Sequence, residues 1–221
     1  MKILQKSPVC NFKTLFILCL FCLNLITGVN GAELRGRVGV GGNFSLGFPL
    51  GDFASTSGYR AKVGLGAGLY AEYFYRDNIS FGIIFELQSF KNKTGDSLSW
   101  FPGRPVRWDF GEARVFGKYI FSSTKRFSPF AEVSLGGFKL QWLFNPDGSE
   151  TAAKYQLKPG VSLGGGFFYQ VNEDIFLQTS LSGNYIFCKN AKAPLIGYET
   201  KLEKDIYFIA FKIGIVFLLG G

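Results

Sequence analysis

The stretch that most constrains this chain is its last long apolar run, Ile206–Leu219, IYFIAFKIGIVFLL. Read with a period of two, Tyr207, Ile209, Phe211, Ile213, Ile215, Phe217 and Leu219 share one continuously apolar face. The other face carries Ile206, Phe208, Ala210, Lys212, Gly214, Val216 and Leu218, with a lysine and a glycine at its middle. This alternation predicts a β-strand. A soluble edge strand this long and this apolar, left unpaired, invites aggregation. In lipid every backbone polar group must be satisfied within the protein, so such a strand belongs in the wall of a closed barrel.

Seven earlier segments alternate in the same way: Leu34–Leu46, Ala61–Phe74, Ile79–Phe90, Glu112–Phe121, Phe130–Phe144, Tyr155–Val171 and Ile175–Phe187. In the first, Leu34, Val38, Val40, Phe44 and Leu46 oppose Arg35, Arg37, Gly39, Gly41, Asn43 and Ser45. In the third, Phe81, Ile83, Phe85 and Leu87 oppose Ser80, Gly82, Glu86 and Gln88. In the fifth the apolar phase changes after Gly136-Gly137, from Ala131, Val133 and Leu135 to Phe138, Leu140, Trp142 and Phe144. A glycine-containing bulge would produce that slip. Trp108 and Phe110, ahead of the fourth strand, are out of phase with its apolar face and have no assigned place.

Eight strands joined by three short turns and four long loops predict an all-β fold, an eight-stranded antiparallel transmembrane up-and-down barrel. Both ends of the barrel domain then lie at its short-turn, periplasmic side. Outward aromatics fall at two levels, as the two interfaces of a bilayer require. Tyr73, Phe81, Tyr119, Phe121, Tyr169 and Phe217 sit near the turns; Trp142, Tyr155, Tyr185, Phe187 and Tyr207 sit near the loops. A soluble eight-stranded barrel of the lipocalin kind would keep its bulky apolar side chains inside. Here the bulky faces oppose faces of Gly, Ser, Gln and charge.

Composition supports this. The 221 residues include 29 Gly and 25 Phe, as crowded interior positions and aromatic girdles need. Hydrophobic residues make up 47%, yet no run of eighteen apolar residues follows residue 31, which argues against a helical membrane protein. Residues 1–31 have the layout of a secretory signal: Lys2, Lys6 and Lys13, an apolar Leu15–Ile26, then small Val29 and Gly31. The domain reading is a signal peptide over 1–31 and an outer-membrane barrel over 32–221. Cys10, Cys19 and Cys22 leave with the signal, and Cys188 remains as a packed small hydrophobe.

The residues of greatest interest are charges on the inward faces: Arg35, Arg37, Lys62, Arg114, Lys118, Lys158 and Lys212 against Glu72, Glu86, Glu112 and Glu132. An eight-stranded barrel has room inside only for side chains, and charges there must pair or be hydrated. The expectation is a lumen plugged by two stacked clusters: Glu72, Lys118, Glu132 and Lys212 towards the turns, Glu86, Glu112 and Arg114 above them. The alternative is an anion-leaning pore, since basic groups outnumber acidic ones.

Catalysis is not expected. The glycine clusters Gly39–Gly42 and Gly64–Gly68 lack the following helix that a phosphate loop needs. No partnered His/Cys cluster marks a metal site, and no cofactor is implied. The chain contains no histidine, whereas the barrel enzymes of this size, the lipid A palmitoyltransferase and deacylase families, rely on one.

The segment Lys212, Gly214, Phe217, Leu219 resembles the C-terminal assembly signal of outer-membrane barrels, departing from many of them in ending on Gly220-Gly221 instead of an aromatic. With strands and signal placed, residues 33–219 resemble the OmpA/OmpX-like small outer-membrane β-barrel superfamily. The Gly47–Phe53 segment is similar to a loop common among its small members. The resemblance implies assembly by the barrel assembly machinery, residence in the bacterial outer membrane as a monomer, and a structural or surface-interaction role. The partners implied are outer-membrane lipid and lipopolysaccharide, with no nucleic acid. The functional alternative is a channel for small solutes or hydrophobic compounds.

Overall fold

The computed structural model describes residues 33–55, 61–92, 107–122, 126–144, 151–195 and 198–220. The expected signal segment, most of the Lys91–Arg107 loop and the Asn145–Gly148 turn lie outside these residues. Eleven strands form among them: β1 (Val38–Pro49), β2 (Ala61–Arg76), β3 (Ile79–Asn92), β4 (Arg107–Ile120), β5 (Phe127–Phe144), β6 (Thr151–Lys154), β7 (Lys158–Gln170), β8 (Ile175–Ile186), β9 (Lys192–Leu195), β10 (Tyr198–Lys201) and β11 (Ile206–Leu219). β6 and β7 pair with the same neighbour, β5, and together make one wall strand. β9 and β10 form a hairpin in the loop between β8 and β11.

The remaining strands each pair antiparallel with their chain neighbours, and β11 pairs back onto β1 from Val38↔Leu219 to Pro49↔Phe208. The sheet is therefore a closed eight-stranded barrel without a free edge in its wall. Tight turns close one end. At Asn172 the side-chain Oδ1 accepts from the backbone N–H groups of Asp174 and Ile175, at 3.0 and 2.8 Å, so the turn between β7 and β8 is set by one residue.

The period of two holds along the walls because each residue faces either the lumen or the outside. On β11, Phe208, Ala210, Lys212, Val216 and Leu218 are buried, while Phe211, Ile213, Phe217 and Leu219 are exposed. Along the middle of every wall strand the outer face is apolar, with Phe44 78%, Leu87 72% and Leu163 71% exposed. The expected turn-end aromatics Tyr73, Phe81, Tyr119, Phe121, Tyr169 and Phe217 are on that face, as are Tyr185 and Phe187 near the loops. The side chains of Trp142 and Phe144 lie outside the described ones.

Three local expectations are corrected. β5 does not slip at Gly136-Gly137: its pairing with β4 runs unbroken from Arg107↔Leu143 to Ile120↔Phe130. Phe138 and Leu140 keep the inward phase and are buried, because the lumen near the loops is apolar and the two faces no longer differ in polarity. The irregularity lies in the next wall strand, where Gln141↔Lys154 and Phe138↔Lys158 leave Tyr155–Leu157 opposite two residues of β5. That bulge turns Tyr155 inward, where it is buried, instead of outward into the girdle. Finally, β1 begins at Val38, and Leu34 is tucked inside rather than outside. Gly36, at φ +78°, makes the turn, and Asp77 Oδ1 accepts from the N–H groups of Leu34 and Arg35 at 3.0 Å each.

Candidate functional site

The lumen is filled in four layers, stacked from the loop end to the turn end. The first is an aromatic cap. Inward positions of β3, β4, β5 and β11 bring Phe90, Trp108, Phe110, Phe138 and Phe208 together, with Leu140 and Ile206. Phe53, at the end of a 3₁₀ turn over Gly51–Phe53, drops in from the loop after β1 and is fully buried. Its ring meets Phe90 at 5.0 Å and Phe110 at 5.7 Å, both edge-on, the arrangement that aromatic quadrupoles favour. Gly51 makes the turn possible: its φ is +51°, and a Cβ there would lie 1.7 Å from the Tyr207 hydroxyl.

Below the cap lies a four-membered charge cluster. Glu86 and Glu112 sit directly opposite one another on β3 and β4, a pairing that would repel if left alone. Arg114 resolves it. Its Nη2 lies 3.0 Å from Glu112 Oε1 and 3.4 Å from Glu86 Oε2, and Nη1 donates to Ser134 Oγ at 2.9 Å. Lys212, from β11, bonds Glu86 from across the lumen. The cluster is neutral, two carboxylates to two cations. Around it Asn43 Oδ1, Ser45 Oγ, Gln88 Nε2 and one oxygen of each glutamate are buried without a hydrogen-bond partner among the described residues.

The second charge layer is built differently. Lys118 Nζ bonds Glu72 Oε2 at 2.9 Å and lies 3.9 Å from Glu132 Oε2. Ser80 Oγ donates to the same Glu72 oxygen at 2.9 Å. Four aromatic faces surround the ammonium, Phe168 at 4.5 Å, Phe130 at 4.9 Å, Phe116 at 5.1 Å and Tyr70 at 5.9 Å. Such faces stabilise a desolvated cation. Glycine makes space for one of them: a Cβ at Gly41 would lie 2.6 Å from the Tyr70 ring. The fourth layer, at the turns, is apolar: Leu34, Phe74, Ile120, Phe176, Val216 and Leu218. Its cavity is only about 10 Å³, too small for a water molecule to be held comfortably.

Of the eleven charges expected in the lumen, Glu72, Glu86, Glu112, Arg114, Lys118 and Lys212 are buried there, and Glu132 is partly so. Lys212 joins the upper cluster, not the lower one. Three expected members are elsewhere. Lys62 is exposed on the outer face, because a bulge between Ala61 and Gly64 turns it round. Arg35 is exposed beyond the start of β1. Arg37 lies at the turn-end rim, where Nη2 pairs with Asp174 at 2.5 Å and Nε donates to the Gly220 carbonyl at 2.6 Å. Lys158, on the inward phase of β7, is half-exposed at the loop end. Gly214 lies in the β11 wall with Phe217 and Leu219 exposed on its outer face.

Sequence reasoning missed Phe53 and the aromatic cap. The signal was present: following the inward phase upward from Glu86, Glu112 and Lys212 leads to Phe90, Phe110 and Phe208. It was hidden because polar-in, apolar-out alternation disappears where both faces are apolar.

Above the cap, Asp205 ties down the loop before β11. It accepts from the Cys188 and Lys189 N–H groups at 2.8 and 2.7 Å and from the Tyr185 hydroxyl at 2.8 Å. Partial burial alone would raise its pKa, but these donors hold the carboxyl below its usual range. Burial, reinforced by Asp205, pushes the Cys188 thiol up to about 12, so it stays protonated and unreactive.

The fold is similar to those of solved outer-membrane barrels. Neisserial surface protein A superposes with a TM-score of 0.56 at 15% identity, over 81% of this chain and 96% of that one. The outer membrane protein OprG from Pseudomonas aeruginosa gives 0.53 at 14% identity, over 88% of this chain and all of that one. These neighbours match the expected small outer-membrane barrel fold of the OmpA/OmpX-like kind. No family model and no curated protein matches the sequence.

Proposed function

We propose that this chain is an integral outer-membrane β-barrel with a closed lumen and a structural or surface-interaction role. The observation that carries the reading is the pairing of two faces. The outside is apolar along the middle of every wall strand, and the inside is occupied from loop end to turn end by packed rings and paired charges. An apolar exterior suits lipid, and an interior filled in this way leaves no room for a solute. In this reading residues 1–31 are removed as a signal peptide, and Lys212, Gly214, Phe217 and Leu219 form the signal read by the barrel assembly machinery. The short turns and both ends of the barrel face the periplasm, and the protein is a monomer. The inward charges Glu72, Glu86, Glu112, Arg114, Lys118, Glu132 and Lys212 act as the plug.

Planar-bilayer recording of the refolded chain tests this. Wild-type protein should show little or rare conductance. A large, steady open channel would overturn the closed-lumen reading and favour passage of small solutes. The lipid-facing assignment has its own check. Ile83, exposed on β3, should lose about 2–4 kcal/mol of stability as Ile83→Arg if it lies near the bilayer midplane, measured by denaturant unfolding in vesicles.

A further inference from the structure

Phe53 differs from the rings it packs against in where it comes from. Phe90, Trp108 and Phe110 belong to the wall strands β3 and β4. Phe53 belongs to the turn after β1. The ladder between β1 and β11 ends at Pro49↔Phe208, with one further bond from the Leu50 N–H to the Tyr207 carbonyl at 3.2 Å. The chain then leaves the wall at Gly51, in the left-handed region at φ +51°. The turn is bonded to itself: Phe53 donates to the Leu50 carbonyl, and Ala54 and Ser55 donate to that of Gly51, at 3.1, 3.1 and 2.9 Å. Within residues 50–55 Phe53 alone is buried; Leu50 and Gly51 are exposed, and Asp52, Ala54 and Ser55 are partly so.

The two sides of this turn are held by contacts of different kinds. On the inner side the Phe53 ring meets Phe90, Trp108 and Phe110 edge-on, with planes at 72°, 78° and 88° and centroids 5.0, 6.2 and 5.7 Å away. An aromatic ring has a negative face and a positive edge, so three edge-on walls favour a ring over an aliphatic group of similar size. On the outer side Asp52 Oδ1 bonds Lys204 Nζ at 2.7 Å, tying the turn to the loop before β11. These side chains are 37% and 56% exposed, and an ion pair in water holds weakly. A ring in a fitted slot and a weak exposed pair, carried on a self-bonded turn that starts at a glycine, are the parts of a hinge.

We propose that the Leu50–Ser55 turn is a lid, with Phe53 as its stopper and the Asp52–Lys204 pair as its latch, and that the slot it covers receives an aromatic side chain of an external polypeptide. The lid swings about Gly51, so neither the wall ladder nor the charge layers beneath take part. Opening therefore uncovers a recognition site at the surface and not a channel. Phe53 shows what the slot takes: a ring that goes in while the backbone bearing it stays at the rim, flanked by part-exposed Asp52 and Ala54. A partner's Phe, Tyr or Trp side chain has the same form. The proposal rests on the surface-interaction reading above and adds the chemistry of the contact and the element that hides it.

The test uses the refolded full-length chain, with Trp100→Phe and Trp142→Phe leaving Trp108, buried beside Phe53, as the single indole. The probe is N-acetyl-phenylalanine amide, titrated by Trp108 emission, and its cyclohexylalanine analogue is the aliphatic control. Phe53→Ala should bind the probe most tightly. With Phe53 present the apparent affinity falls with the open fraction of the lid, by about a hundredfold, which is what burying a phenyl ring is worth. Asp52→Asn should strengthen binding to the Phe53-containing chain about threefold, the reach of an exposed ion pair, and Lys204→Gln should match it. Gly51→Ala should strengthen it about tenfold, because its Cβ would meet the Tyr207 hydroxyl and a left-handed φ disfavours any Cβ. None of these three should matter in the Phe53→Ala chain, which has no stopper to release. Binding that ignores all three while Phe53 is present overturns the lid. Absence of binding to a folded Phe53→Ala chain overturns the slot, and equal affinity for the cyclohexyl analogue overturns its preference for a ring. Failure of the wild-type chain to insert into vesicles would instead remove the membrane reading and leave the lid standing.

Discussion

The two charge layers of the lumen face one physical problem, a cation held away from bulk water, and meet it differently. Arg114 is held by polar groups: two carboxylates, Ser134 and Asn184. Lys118 has one close carboxylate, a second at 3.9 Å, the Gln178 amide oxygen at 3.4 Å, and four aromatic faces. Each ammonium or guanidinium side chain is about 1% exposed, so neither has much help from solvent. A guanidinium has five donors in a planar fork and suits several acceptors at once, whereas an ammonium is a compact charge that a ring of π-faces can enclose. The upper layer is thus specific to its occupant. The lower layer is an aromatic cage with one close ionic contact and two longer polar ones.

The largest expected effects break this comparison directly. Arg114→Met should destabilise the barrel by about 3–5 kcal/mol in vesicle unfolding, because it strands buried carboxylates. Adding Glu112→Gln restores the charge balance but still leaves Ser134 and Asn184 without their donor, so a deficit of about 2 kcal/mol should persist. Lys118→Met with Glu72→Gln should come back to within about 1 kcal/mol of wild type, since a thioether packs well among aromatic rings, Glu132 is partly exposed and Gln178 loses only a 3.4 Å contact. Equal losses in the two double variants would erase the distinction.

The cap sharpens the contrast with a layer that contains no charge. Phe53→Ala should cost about 3 kcal/mol, the usual penalty for emptying a well-packed aromatic site, without altering the charge layers beneath. Bilayer conductance should therefore stay low while the unfolding midpoint falls. A rise in conductance would mean that the cap, not the charges, closes the lumen.

The smallest effect belongs to Asp205. Its folded-state pKa is depressed, so its contribution is present above the unfolded-state value and fades as pH falls through the folded one. Asp205→Asn should therefore flatten the acid-side loss of amide protection at Cys188 and Lys189, measured by hydrogen exchange. At neutral pH the variant should exchange faster there than wild type.

How much of this could be read beforehand depended on whether inside and outside differed in polarity. Along the middle of β3, β4 and β11 they do, and alternation alone turns Glu86, Glu112, Arg114 and Lys212 inward, although it does not set the level of Lys212, which pairs with Glu86 and not with the lower layer. Near the loops they do not. Phe138 and Leu140 looked like a phase slip after Gly136-Gly137, although the strand runs straight. Lys62 was lost for the opposite reason: a real bulge sits beside Gly64, Gly66 and Gly68, and glycines carry no sign of which way a strand faces. A one-residue slip turns the side chain to the other face. Arg37 was misassigned because a positive-φ turn at Gly36, invisible to alternation, sets where the wall begins.

The seam between β1 and β11 has a kinetic consequence. Arg37 and Leu218, which meet there, are 181 residues apart in the chain. Every other wall pairing can form between chain neighbours, so the seam is the one contact that must wait for the whole sheet. Until it forms, β1 and β11 both present unpaired edges, and each can recruit another copy as readily as its own partner across the seam. Closing so long a loop is slow for reasons of chain entropy, and the reward comes only when the register is complete. The ion pair of Arg37 with Asp174 and its bonds to the carbonyls of Gly220 and Leu218 lie at the end of that seam. A contact made only on closure acts chiefly on the rate of opening, which makes Arg37 a latch on the lifetime of the closed barrel more than an aid to its formation.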